Sequence, residues 1–120
     1  MKAVYISLTG QTVKFVDKLG IESHRLISDD DIYPIKENYI LPTYNHEGSL
    51  ELVEKFINTQ DNKSFLRGVV GSGNRNFNDL FCISAKEIVK KYEVPLLHCF
   101  EFQGEARDVE IVRNEVEKLG

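Results

Sequence analysis

The chain lacks what several large functional classes require. It has no basic excess: 15 Lys and Arg stand against 19 Asp and Glu, a net charge of −4. Non-specific nucleic-acid binding draws on counter-ion release by a basic surface, so this balance argues against a nucleic-acid partner. No apolar run approaches the roughly 18 residues of a membrane span, and Lys2 introduces a strand-like segment rather than a signal peptide. Cysteine is scarce. Cys82 and Cys99 share no CxxC spacing and read as reduced, partly buried thiols of a cytoplasmic protein, with a disulfide the weaker reading. Low-complexity tracts, internal repeats and linkers are missing too, so residues 1–120 are expected to form one domain.

Chemical signatures are equally few. Neither the GxxxxGK[ST] phosphate loop nor the GxGxxG dinucleotide fingerprint occurs. There is no CxxxxxR loop, no serine–histidine–acid pattern, and no carboxylate cluster after the first strand of the kind a phosphorylated receiver carries. His24, His46 and His98 lie in separate segments without metal-ligand spacing, so no metal site is expected.

What the chain does have is alternation. Short aliphatic runs occur at 3–7 (AVYIS), 24–27 (HRLI), 39–44 (YILPTY), 65–72 (FLRGVVGS) and 94–102 (VPLLHCFEF). Segments 12–19, 49–58, 78–92 and 105–119 carry apolar residues at helical spacing, as in Val109, Val112, Val116 and Leu119. Strands alternating with amphipathic helices predict an α/β fold with a parallel sheet and helices on both faces. The near-continuous apolar runs 3–7 and 94–102 predict strands buried on both sides. Asp29-Asp30-Asp31 interrupts the alternation and reads as a solvated turn.

In an open parallel sheet, ligands bind beyond the carboxyl ends of the strands. Three of those ends are small and polar here: SLTGQTV (7–13), LPTYNHEG (41–48) and VGSGNRNFNDLF (70–81). The first offers hydroxyls, backbone N–H groups and a helix N-terminus, which suit a single phosphate without a compensating cation. On this loop alone, simple capping of the helix by Thr9 or Thr12 explains the residues equally well. The third loop adds glycines for close backbone approach and amides able to read a heterocycle's edge. Tyr44, at the second, can pack against a flat ring. One phosphate and one flat heterocycle describe flavin mononucleotide, FMN. Arg75 is open between meeting a partner and holding its own loop.

The segments SLTGQTVKFVDKLG, GVVGSGNRNFNDLFCISAKEIVKKYEVPLL and FEFQGEARDVE resemble the NrdI family, and the likeness covers nearly the whole chain. The resemblance implies a flavodoxin-like three-layer sandwich with a five-stranded parallel sheet of order 2-1-3-4-5. It implies that Ser7, Thr9, Gly10, Gln11 and Thr12 hold the FMN phosphate. Thr43, Tyr44, Asn45 and Gly48 would face the isoalloxazine, and Ser72, Gly73, Asn74, Phe77 and Asn78 its other side and pyrimidine edge. The family's second loop is glycine-rich, whereas this chain has Asn45-His46-Glu47-Gly48. The implied role is assembly of the dimanganese–tyrosyl radical cofactor in the small subunit of class Ib ribonucleotide reductase. Reduced flavin would react with dioxygen to supply the oxidant, and a flavin reductase or similar donor would supply electrons. The alternatives are a general electron-transfer short flavodoxin, with the same cofactor residues and another partner, and a non-redox binding module on the same fold.

Overall fold

Four consecutive residues, Ala3-Val4-Tyr5-Ile6, are all buried, and a strand can bury them all only by packing on both faces. Ala3 and Tyr5 point into one apolar cluster, Val4 and Ile6 into the other. The computed structural model, which describes residues 1–6, 10–44, 50–76 and 82–119, builds the molecule around that division. Strands β1 (Lys2–Tyr5), β2 (Glu22–Arg25), β3 (Tyr39–Tyr44), β4 (Leu66–Gly73) and β5 (Leu96–Glu101) form one sheet in the order β2-β1-β3-β4-β5. Every neighbouring pair is parallel, as expected.

Helices α1 (Gln11–Leu19) and α5 (Ala106–Leu119) cover one face, where Phe15, Val16, Leu19, Val109 and Val112 meet Tyr5, Ile40, Val70 and Phe100. Helices α2 (Glu51–Ile57), α3 (Asn62–Phe65) and α4 (Ile83–Tyr92) belong to the other, where Val53, Phe56 and Ile88 meet Val4, Leu41 and Val69. At roughly 25 cal/mol per Å² of apolar area removed from water, these two clusters are the main source of stability.

Several expectations need correction. The apolar run 94–102 is not a doubly buried strand: β5 is an edge, with Leu96 and Glu101 exposed and only Phe100 fully buried. Its apolar residues pack mainly on the α1/α5 side, so their density came from one helix layer and not from two. β2 starts earlier than the run 24–27. Its ladder pairs Glu22–Arg25 with Lys2–Tyr5, while Leu26 leaves the strand to enter the core and Ile27 is exposed. Phe65 closes α3 rather than opening β4, and α4 begins at Ile83 among the described residues.

The aspartate run is a 3-10 turn, Asp29–Asp31, capped by Ser28. Asp31 Oδ2 accepts from the Ile27 and Ser28 N–H groups (2.8 and 3.1 Å), which hold its carboxyl below the usual range. Beneath this segment the side chain of Asn62, fully buried, makes three bonds. Its Oδ1 accepts from Ile35 N–H (2.8 Å), and its Nδ2 donates to Tyr33 O (3.1 Å) and Phe56 O (2.9 Å). Tyr39, the first residue of β3, buries a hydroxyl with no hydrogen-bond partner among the described residues. No helix among the described residues is long and apolar enough to cross a membrane.

Candidate functional site

The carboxyl ends of β1, β3 and β4 lie side by side at one edge of the sheet. Tyr44 is the register partner of Ser72, so the second and third loops leave neighbouring strands at the same level. The first loop enters α1 through Gly10, whose φ of 89° is left-handed. A Cβ there would meet nothing within 4 Å, so the turn itself, not crowding, calls for glycine.

A glycine at the N-cap offers no side-chain acceptor, and among the described residues α1 has no side-chain capping hydrogen bond and no acidic residue in its first turn. Thr12 does not cap the helix. It sits inside the first turn, 3% exposed, and its Oγ1 has no hydrogen-bond partner among the described residues. A buried hydroxyl left unpaired costs roughly 1–3 kcal/mol. The orphan hydroxyl and the uncapped positive end of α1 lie within one helical turn of each other. Gln11 is half-buried at the first helical position, and Ser7 and Thr9 lie outside the described residues.

At the second loop, Thr43 is buried and its Oγ1 donates to Val70 O (3.4 Å), while the buried Tyr44 ends β3. Asn45 and Gly48 lie outside the described residues. At the third, Ser72 Oγ donates to the Phe102 carbonyl, and Gly73 O accepts from Phe102 N–H (3.0 Å). Asn74 Oδ1 accepts from Asn76 N–H (2.9 Å), leaving its Nδ2 group for other contacts. Phe77 and Asn78 lie outside the described residues. The Thr43 and Ser72 hydroxyls therefore donate to main chain, whereas the Thr12 hydroxyl is left without a partner among the described residues.

Two supporting features were not apparent from the sequence. The connection between β5 and α5 braces the third loop through Phe102, and is itself tied to α1 by Lys18 Nζ donating to Gly104 O (2.9 Å). Gly104 was the available signal: its φ is 80°, and a Cβ would press to 3.1 Å on Phe100 and 3.2 Å on Phe15. Arg75 leans over the end of β5, its Nε 3.8 Å from Glu101 Oε1, which fits the loop-holding reading. A cleft of about 420 Å³ lies beside it, lined by Arg75, Phe100, Phe102, Gln103 and Arg107 among others. The second feature is Cys82, which precedes α4 with a φ of 58°, a conformation that no glycine or asparagine announced.

At the base of this cleft Asp108 Oδ1 pairs with His98 Nε2 (2.9 Å), and Oδ2 accepts from Glu105 N–H (2.8 Å). Burial raises the Asp108 pKa, but the Glu105 N–H and His98 outweigh it and hold the carboxyl below the usual range. No three His, Cys, Asp or Glu side chains converge as a metal site among the described residues.

The NrdI flavodoxin-like family model matches residues 3–114 of this chain. The chain belongs to that family. A curated relative, Protein NrdI of Wigglesworthia glossinidia brevipalpis, is 45% identical over 97% of this chain and 88% of its own length. Protein NrdI of Brucella ovis is 36% identical over 96% and 90%. Among solved structures, a Streptococcus pneumoniae flavodoxin aligns with a TM-score of 0.58 at 24% identity, covering 98% of this chain and 95% of its own. A short-chain flavodoxin associated with a bacterial microcompartment aligns with a TM-score of 0.67 at 14% identity, covering 98% and 94%. Those two similarities bear on the fold alone. An NrdI flavodoxin-like chain with the 2-1-3-4-5 sheet implies a flavin cofactor.

Proposed function

We propose that this chain binds FMN and serves as the redox protein that activates the small subunit of class Ib ribonucleotide reductase. The observation that carries the flavin reading is Thr12: among the described residues, a buried hydroxyl without a partner beside a helix N-terminus without a side-chain cap. Such a pair suits an anion, because a phosphate oxygen accepts from the hydroxyl and from free N–H groups while the helix dipole favours its charge. Ser7, Thr9, Gly10, Gln11 and Thr12 hold the phosphate in this reading. Thr43, Tyr44, Asn45 and Gly48 flank one side of the ring system, and Ser72, Gly73, Asn74, Phe77 and Asn78 the other.

When bound, a flavin supplies electron transfer and, once reduced, reactivity toward dioxygen. The chain's part is to bind, orient and brace. Gly10 turns the backbone into α1, Thr12 donates its hydroxyl, and the Ser72–Phe102–Gly73 bonds hold the third loop against β5. The partner assignment is supported by the relatives named Protein NrdI, and an electron donor such as a flavin reductase completes the scheme, in the cytoplasm.

The test has two stages. FMN should bind at one per chain, and riboflavin, which lacks the phosphate, about tenfold or more weakly, as expected when hydrogen bonds to a charged group are lost. Equal binding of the two would remove the phosphate from the first loop. The reduced protein, the manganese-loaded small subunit and dioxygen should then yield the tyrosyl radical, and only when this protein is present. Binding and flavin turnover without radical would leave a general electron carrier instead.

A further inference from the structure

Cys99, on β5, is the register partner of Gly71 on β4, and register partners in a parallel ladder direct their side chains to the same face of the sheet. A Cβ built on Gly71 would lie 2.8 Å from Ala85 Cβ, 3.0 Å from Cys82 Cβ and 3.1 Å from Cys82 Sγ. The Cys82 thiol therefore occupies the space that Gly71 leaves open, on the face toward which Cys99 points. The two side chains thus meet on one face of the sheet, beside Gly71. Cys82 is fully buried, and Cys99 is half-buried on the edge strand.

We propose that Cys82 and Cys99 form an oxidisable thiol pair whose substrate is a small hydroperoxide, with Cys99 attacking, Cys82 resolving, and an intramolecular disulfide as the product. This inference does not rest on flavin binding. The accessible member attacks because only Cys99 reaches the surface, and its surroundings favour the thiolate. The hydrogen bond from Cys82 comes first; burial opposes it, and the Lys86 ammonium and Arg75 guanidinium assist, so that the Cys99 thiol is held down to about 7. Donating that hydrogen bond, together with burial, pushes the Cys82 thiol up. One thiol is thus the nucleophile, and the other keeps its proton until it is needed.

The step balances with peroxide as the oxidant. The Cys99 thiolate attacks one peroxide oxygen, an S–O bond forms, the O–O bond breaks, and hydroxide leaves; the sulfur is oxidised by two electrons and the peroxide reduced. The Cys82 sulfur then attacks the Cys99 sulfenic acid. The S–S bond forms, the S–O bond breaks, and the departing hydroxide takes the Cys82 proton as water. The product ties the residue before α4 to β5, fixing the far anchor of the loop that leaves β4 at Gly73.

The purified full-length chain, reduced and freed of reductant under argon, is mixed with one equivalent of hydrogen peroxide. Titratable thiols should fall from two to none per chain. Non-reducing tryptic mass spectrometry should find residues 76–86 linked to 92–107 in a monomer. Cys82→Ser should trap Cys99 as a sulfenic acid that dimedone captures, and Cys99→Ser should leave Cys82 reacting at least about tenfold more slowly. Should either variant fail to fold, the wild-type peptide map still decides. Two surviving thiols, a Cys99 sulfinic acid without the linked peptide, or disulfides only between chains would each overturn the proposal.

Discussion

Asn62 and Thr12 are both withdrawn almost completely from water, and the fold treats them in opposite ways. Asn62 lies just ahead of β4, toward the amino ends of the strands, with its amide carbonyl and its amide nitrogen engaged by main-chain groups of two segments. Thr12 lies toward the carboxyl ends with its hydroxyl engaged by nothing among the described residues. A buried polar group whose every valence is matched is an architectural joint. One left open among the described residues, beside a helix N-terminus, is where the proposed phosphate would bind. The difference separates polar burial that holds the fold from polar burial that the proposed ligand would satisfy.

The largest expected effect comes from the joint. Asn62→Leu strands the Ile35 N–H and the Tyr33 carbonyl and leaves the Phe56 carbonyl with the Thr59 N–H alone, and should cost about 3–5 kcal/mol of unfolding free energy. Urea unfolding measures it; a loss below about 1 kcal/mol would show that water or neighbours replace the amide easily. Thr12→Val removes the open hydroxyl while keeping its shape. FMN affinity should fall by about 1.5–3 kcal/mol, and the stability of the ligand-free chain should stay level or rise. Loss of both together would mean that the hydroxyl already has a partner, and the contrast with Asn62 would collapse.

Tyr39→Phe is the control, because its hydroxyl is also orphaned but stands at the start of β3, at the amino-terminal edge. Burial pushes that hydroxyl's pKa well up, so it stays neutral at ordinary pH. The change should stabilise the chain by about 1 kcal/mol and leave flavin affinity unmoved. The smallest effect is acid-dependent. Because the folded Asp108 pKa is depressed, its contribution to stability is present above the ordinary aspartate pKa and is lost as pH falls through the folded value. Asp108→Asn should flatten that acid limb by less than about 1 kcal/mol, measured as the unfolding midpoint between about pH 5 and 2.

Much of this arrangement was written in local pattern. The helical spacing of Val13, Val16 and Leu19 after a small polar turn located α1, and Gly10 and Thr12 were identifiable as residues of a loop with an open acceptor or donor role. Edge position was not legible in local pattern and came only with the strand order 2-1-3-4-5 that the resemblance implied. An apolar run reads the same whether a strand has one neighbour or two, so 94–102 looked interior although β5 pairs with β4 alone. Leu26 misled for a related reason: it is buried by turning into the core after its strand has ended. The use of the Thr43 and Ser72 hydroxyls depends on contacts 27 and 30 residues away in sequence, which no local window contains. Nor does any residue type announce that Cys82 sits in a left-handed conformation against Gly71.

The sheet's two margins have a consequence for assembly. An unpaired strand flank is a template on which another chain can add a strand, the route to swapped and fibrillar forms. Here one margin is β2, only four residues long, with Glu22, Ser23 and Arg25 exposed along it. The other is β5, whose ladder with β4 slips between Val69 and Val70, a kink that spoils a straight hydrogen-bonding flank. Lateral growth of the sheet is disfavoured on both sides. A protein that associates with this one is therefore expected to meet it end-on, across the loops at the strand tips, so that recognition and the ligand site share a single surface.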